Sequence, residues 1–170
     1  MKKMIITLLV ILIALTVFQS FMTMSTNKIE KQAYRVVKKE ADFEIRYYPA
    51  ATFATIKSKA NNYRELSGSG FRRIADYIFG GNESSTKIAM TSPVHMDINE
   101  EGSSMSFVMP SKYNVSTLPK PNDSKVEIHE SKPEYAAAVV FGGYVNDATL
   151  KKYAEQLQQI LEQHQIKPIG

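Results

Sequence analysis

Cysteine is absent from all 170 residues. That excludes structural disulfides, thiolate metal ligands, thiol nucleophiles and an anchor built on a lipidated cysteine. Histidine is scarce. His95, His129 and His164 are the only three, and none stands at helical spacing from another. No His-Glu-x-x-His pattern and no carboxylate cluster occurs. Gly68-Ser69-Gly70 lacks the strand–turn–helix setting of a nucleophile elbow. Gly80-Gly81-Asn82 closes a helical pattern instead of opening one, so it is no phosphate-cradling loop. A strong charge of either sign is also missing. Lys and Arg number 21 against 17 Asp and Glu, and two of the positive charges, Lys2 and Lys3, belong to the N-terminal segment. A near-balanced remainder offers no electrostatic case for nucleic acid. Few catalysts and no metal cage favour a binding module over an enzyme.

Charge is missing altogether from Met4 to Asn27, and Met4 to Phe18 is almost wholly apolar. A basic start followed by an apolar run is the layout of a secretory signal. No Ala-x-Ala follows, and Thr23-Met24-Ser25 is a weak substitute. The run Met4 to Met24 nearly meets the roughly 20 residues that span a bilayer. Residues 1–27 therefore read as a cleaved signal peptide or a membrane anchor, with residues 4–24 as the membrane contact. Either reading places the rest of the chain outside the cytoplasm. Residues 28–33 form a polar linker.

One compact domain is expected from residues 34–170. Alternation predicts strands at 34–39, 43–48 and 51–57. A helix follows at 63–79, with Phe71, Ile74, Ala75, Ile78 and Phe79 as its apolar stripe and Gly80-Gly81 as its stop. Further strands are expected at 87–90, 94–98 and 104–109, with a hairpin turn at Glu100-Glu101-Gly102. A loop at 113–124 precedes strands at 126–130 and 135–141. Asn146 or Asp147 caps a last helix reaching His164. The order argues an antiparallel α+β domain with both helices packed on a curved sheet.

The run Thr86-Lys87-Ile88-Ala89-Met90-Thr91-Ser92-Pro93-Val94 is a strand pattern that meets a Pro, which removes a ladder donor and forces an edge or a bend. Met90 and Met96 are soft side chains suited equally to a flat apolar ligand or to a core. His95 lies between them as a surface strand residue or a ligand. His129 reads as a rim residue and His164 as part of the last helix.

Four stretches in order resemble the SOUL family of haem-binding proteins. They are Phe43-Glu44-Ile45-Arg46-Tyr47-Tyr48 with Pro49, Gly70-Phe71 to Gly81-Asn82, the run 86–94, and Phe141-Gly142-Gly143-Tyr144. The resemblance covers residue 34 to the C-terminus. It implies a distorted antiparallel β-barrel or curved sheet with two long helices. It also implies two βαββ halves, the second lacking its last strands. The implied function is binding of haem or another tetrapyrrole in an apolar groove beside the first helix of the domain. Phe71, Ile74 and Ile78, with Met90 and Met96, would line that groove, and Arg72 or Arg73 would pair with the propionates. Some relatives carry an axial histidine where this chain has Tyr47, so Tyr47 or His95 would be the candidate iron ligand. The alternatives are a module of the same fold for another amphiphile or a protein, or a small-molecule enzyme using Glu44 and Tyr47.

Overall fold

The computed structural model describes residues 2–26, 29–99 and 102–169, without the side chains at 2, 4–5, 20–26 and 99. Glu100 and Glu101 of the expected hairpin turn lie outside the described residues. The chain divides into residues 1–30 and residues 31–170.

The first unit is a helix, α1 (Lys2–Thr26). Its apolar side chains from Ile6 to Phe18 are exposed. Among the described residues no helix is long and apolar enough to cross a membrane. The described apolar stretch falls short of the roughly 20 residues a span needs. The side chains at 4–5 and 20–24, which the spanning reading requires, lie outside the described ones.

The second unit follows a two-residue strand, β1 (Glu30–Lys31). It holds β2 (Arg35–Lys39), β3 (Glu44–Tyr48), β4 (Thr52–Ser58), α2 (Tyr63–Ile78), β5 (Thr91–Ser92), β6 (Val94–Asn99), β7 (Gly102–Val108), β8 (Val126–Glu130), β9 (Glu134–Ala138) and α3 (Asp147–Gln163). One sheet has the order β2-β3-β9 and another β6-β7-β4-β8, both antiparallel. The α+β class is as expected, and the sheets are open. The distorted barrel is corrected here: among the described residues no sheet closes on itself. Each keeps two unpaired edges, and closure requires those edges to pair. No strand follows α3 among the described residues.

Period-two alternation explains the four-stranded sheet. Ala54 and Ile56 of β4, Met105 and Phe107 of β7 and Val126 of β8 share one face and form a buried cluster with Leu66, Ile74, Tyr77 and Ile78 of α2. The stripe of α2 is therefore centred on Leu66, Gly70, Ile74, Tyr77 and Ile78. Phe71 and Phe79, expected within it, are 40% and 57% exposed. Gly70 is part of that contact face, since a Cβ there would stand 3.4 Å from both Cβ and Sδ of Met105. The helix starts at Asn62, whose side chain accepts a hydrogen bond from the Glu65 N–H. It stops at Gly80, whose φ of +117° disfavours any side chain.

The second cluster joins α3 to the three-stranded sheet. Phe43, Ile160 and Leu161 are buried with Ile45, Ala137, Val139 and Leu157 against them. Asn146 caps α3 by accepting from the Thr149 N–H. Asp147 Oδ1 accepts from the Tyr63 N–H at 2.6 Å, which brings the first turns of α2 and α3 together.

The expected strand at 87–90 is absent. Residues 83–90 are neither helix nor strand, and only Thr91 and Ser92 form the short β5. The reason is the partner the backbone finds. The Ile88 N–H donates to the Ile78 carbonyl at the end of α2, at 2.8 Å. This segment docks on a helix end instead of lying in a ladder.

Candidate functional site

The surface beside α2 begins from strand register. Val94 stands opposite Phe107, and Met96 opposite Met105. Both pairs share the sheet face that carries α2. Strand β6 is the edge of its sheet, so α2 covers β7 and leaves part of β6 uncovered. The Phe71 ring lies 5.4 Å from the Phe107 ring, tilted at 56°. Phe71 is 40% and Val94 37% exposed, while Met96 is half-buried against the core. Phe71, Val94 and Met96 thus form an apolar surface floored by Phe107 and Met105.

A polar cleft opens on the neighbouring turn of α2. It measures about 590 Å³ and is lined by Gly68, Ser69, Arg72, Arg73, Asp76 and Asp123. Arg73 is paired with Asp123 at 2.5 Å. The Asp123 carboxyl is held below the usual carboxylate range by the Lys125 backbone N–H and then by Arg73. Arg72 lines the same cleft one residue from Phe71, so a cation stands beside the apolar surface.

The other sequence-derived candidates lie elsewhere. Ile74 and Ile78 are 0% and 1% exposed and sit in the core beneath α2. Met90 is 39% exposed. It lies between Ile88, bonded to the end of α2, and Thr91, whose hydroxyl donates to the Val108 carbonyl. Tyr47 belongs to the other sheet. Its ring is 5.1 Å from Tyr135, and the Arg35 guanidinium lies 5.3 Å from its centre. Glu44, on the same strand, is bound by Arg46 at 2.9 Å, and that bond holds its carboxyl below the usual range.

His95 points to the opposite face of the sheet from Met96, as strand alternation requires. Its Nε2 is 2.6 Å from Gln32 Oε1, and its ring meets Phe53 edge-on at 5.2 Å. Burial pushes its pKa down, with Glu134 opposing. His129 is exposed at the rim and contacts Thr55 Oγ1 at 2.8 Å, while Thr55 also contacts Ser106 at 2.7 Å. Phe53 stands between the two histidine rings. Among the described residues no group of three His, Cys, Asp or Glu could hold a metal ion.

Sequence reasoning missed Val94, Met105 and Phe107. The alternation Ser104-Met105-Ser106-Phe107 marked the last two as one face. It could not show that β6 would be an edge.

The sequence model described as SOUL heme-binding protein matches residues 29–170. The chain belongs to the SOUL heme-binding protein family. Among curated relatives of this SOUL protein is "Heme-binding protein 1" of Mus musculus. It is 29% identical over 132 residues, covering 74% of this chain and 69% of the mouse protein. "Heme-binding protein 1" of Xenopus laevis is 28% identical over 126 residues, covering 70% of this chain and 66% of the frog protein. The chain thus spans about two thirds of the length of these relatives.

The residues present suit a flat apolar ring bearing carboxylates better than a bare metal ion. Phe71, Val94 and Met96 offer apolar area, and Arg72 offers a fork that matches a carboxylate.

Proposed function

We propose that this SOUL protein binds haem or a related tetrapyrrole and does so without catalysis. The family match over residues 29–170 carries the reading. The names of the mouse and frog relatives support it, as does the apolar surface beside α2. In this reading the macrocycle rests on Phe71, Val94 and Met96, with Met90 at the border. Arg72 pairs with a propionate, and Ile74 and Ile78 hold the floor rigid from below. Bound haem would supply an iron centre. Tyr47 carries a phenol oxygen that can ligate such a centre, but it belongs to the other sheet. His95 faces away from the Met96 side. Recognition through the ring face and the carboxylates therefore dominates over axial ligation.

Residues 29–170 titrated with hemin should give a saturable Soret change. Phe71→Ser should weaken binding by about tenfold, since loss of a buried aromatic contact is worth on the order of 1.4 kcal/mol or more. Arg72→Ala should weaken haem more than it weakens an esterified porphyrin. Weak, unsaturable binding would refute the reading. Equal affinity for iron-free protoporphyrin IX, unchanged in Tyr47→Phe, would show that iron ligation contributes little.

We further propose that residues 1–27 direct or hold the domain outside the cytoplasm. The uncharged run behind Lys2 and Lys3 supports this. Protease added to intact cells or spheroplasts should reach the domain, and full protection would contradict it.

A further inference from the structure

Within the apolar surface beside α2, Met96 alone among the described residues offers an accessible atom that can bind iron. Phe71, Val94 and Phe107 are hydrocarbon side chains. Met96 carries a thioether sulfur, and its neighbour Met105 carries a second but is only 1% exposed. Arg72 at the border has donors and no lone pair to give. On the α2 side, Ser67 stands one turn before Phe71, and its hydroxyl donates to the Arg64 carbonyl at 3.1 Å. Tyr63 stands two turns before Phe71, about 12 Å along the helix. His95 and His129 belong to the opposite face of the sheet, where His95 meets Gln32 and His129 meets Thr55.

Strand pairing fixes where the Met96 side chain stands. Met96 lies opposite Met105, and a Cβ at Gly70 of α2 would stand 3.4 Å from Met105. Val94, on the same face of β6, lies opposite Phe107, whose ring is 5.4 Å from that of Phe71. Met96 is thus one strand spacing, roughly 5 Å, from the residue that meets α2. Side chains stand roughly perpendicular to their sheet. That is the direction from which an axial ligand meets a ring lying flat on the same face. Met has three rotatable side-chain bonds, and Met96 is only half-buried, so its sulfur can turn toward such a ring. Met90 is 39% exposed, but its segment docks on the end of α2 through Ile88.

We propose that the Met96 thioether is an axial ligand for ferrous haem, and that it gives the site a preference for reduced over oxidised haem. The proposal rests on the haem reading above and adds a redox preference to it. A thioether is neutral and soft, so it favours ferrous iron over the harder ferric ion. Methionine ligation correspondingly raises the potential of a haem. For ferric hemin, the ring-face contacts of Phe71 and Val94 and the Arg72 carboxylate pair carry the affinity. For ferrous haem, Met96 Sδ adds to them.

The full chain in a mild detergent, read against a detergent blank, is titrated with three ligands. They are hemin, haem kept ferrous by dithionite, and iron-free protoporphyrin IX. Met96→Leu nearly conserves volume at this half-buried position and removes the sulfur. It should leave the affinities for hemin and protoporphyrin within about twofold of wild type and lower the ferrous affinity about tenfold. By linkage the reduction potential of the bound haem should then fall by about 59 mV, the one-electron equivalent of that tenfold. Equal losses for all three ligands overturn the proposal, since Met96 would then be a packing contact only. So does an unchanged ferrous affinity. A selective ferrous loss in Met90→Leu in place of Met96→Leu also overturns it, by assigning ligation to the other sulfur. No saturable binding of any of the three refutes the haem reading and the proposal with it, an outcome distinct from loss of the redox preference alone.

Discussion

Tyr77 is 1% exposed and yet carries a hydroxyl, which donates to the Pro119 carbonyl at 2.9 Å. Burial pushes its pKa up to about 12. Asn82, also 1% exposed, donates to the carbonyls of Tyr77 and Thr86 and accepts from the Thr86 N–H. These two side chains tie the 113–124 loop and the 83–90 segment to the end of α2. Tyr77→Phe leaves one carbonyl without its donor and should cost about 1 to 2 kcal/mol in urea unfolding. Asn82→Ala leaves the Thr86 N–H and carbonyl without this partner, while the Tyr77 carbonyl keeps the Gly80 N–H, and should cost roughly 2 kcal/mol. Asn82 also begins an Asn-x-Ser triplet, a pattern that says nothing of burial. His95 supplies a pH dependence. Burial lowers its pKa, so the folded chain resists a proton that the unfolded chain accepts. Its contribution is present above about pH 6.5 and is lost as the pH falls below that value. The urea midpoint should therefore drop on acidification, and His95→Gln should flatten that drop. An unchanged profile in the variant would assign the pH dependence to other groups.

Both domain helices have legible ends. Asn62 and Asn146 are short side chains that accept from the N–H three residues on, and such caps can be read from residue type alone. Asn62→Ala and Asn146→Ala should each cost about 1 kcal/mol, measured as a shift in the denaturation midpoint. Gly81 is more sensitive than its neighbour Gly80. A Cβ at Gly81 would come within 2.8 Å of the Asp76 carbonyl oxygen, so Gly81→Ala should destabilise by more than the cap variants. The stripe of α2 was legible only in part. The expected stripe ran from Phe71 to Phe79, whereas the buried face also takes in Leu66, Gly70 and Tyr77, and a Cβ at Gly70 would stand 3.4 Å from Met105. The segment 86–94 shows the other limit. Its composition suits a strand, but the end of α2 offers Ile88 a carbonyl first.

Among the described residues, the two apolar clusters draw only on residues 43–166. A chain lacking residues 2–28 should therefore unfold with an unchanged midpoint, and a large drop would give α1 a structural role. The apolar surface beside α2 exists because β6 is an edge that α2 does not cover. Among the described residues β9 pairs with β3, which sets Tyr135 against Tyr47. Both are properties of the assembled sheets.

Much was determined by the sequence alone. It settled the α+β class, the two domain helices with the cap of the last one at Asn146 or Asp147, most strand positions and the family, because each rests on local periodicity, turn chemistry or motif order. Only the tertiary structure decided that the strands form separate open sheets and that Ile74 and Ile78 lie in the core while Phe71 reaches solvent. Only there did Tyr47 and the α2 surface fall on different sheets. Such outcomes follow from pairings like Tyr47 with Tyr135 and Phe53 with His129, which join residues far apart along the chain. Local patterns say that a strand will have a partner, and packing of the whole chain selects which one.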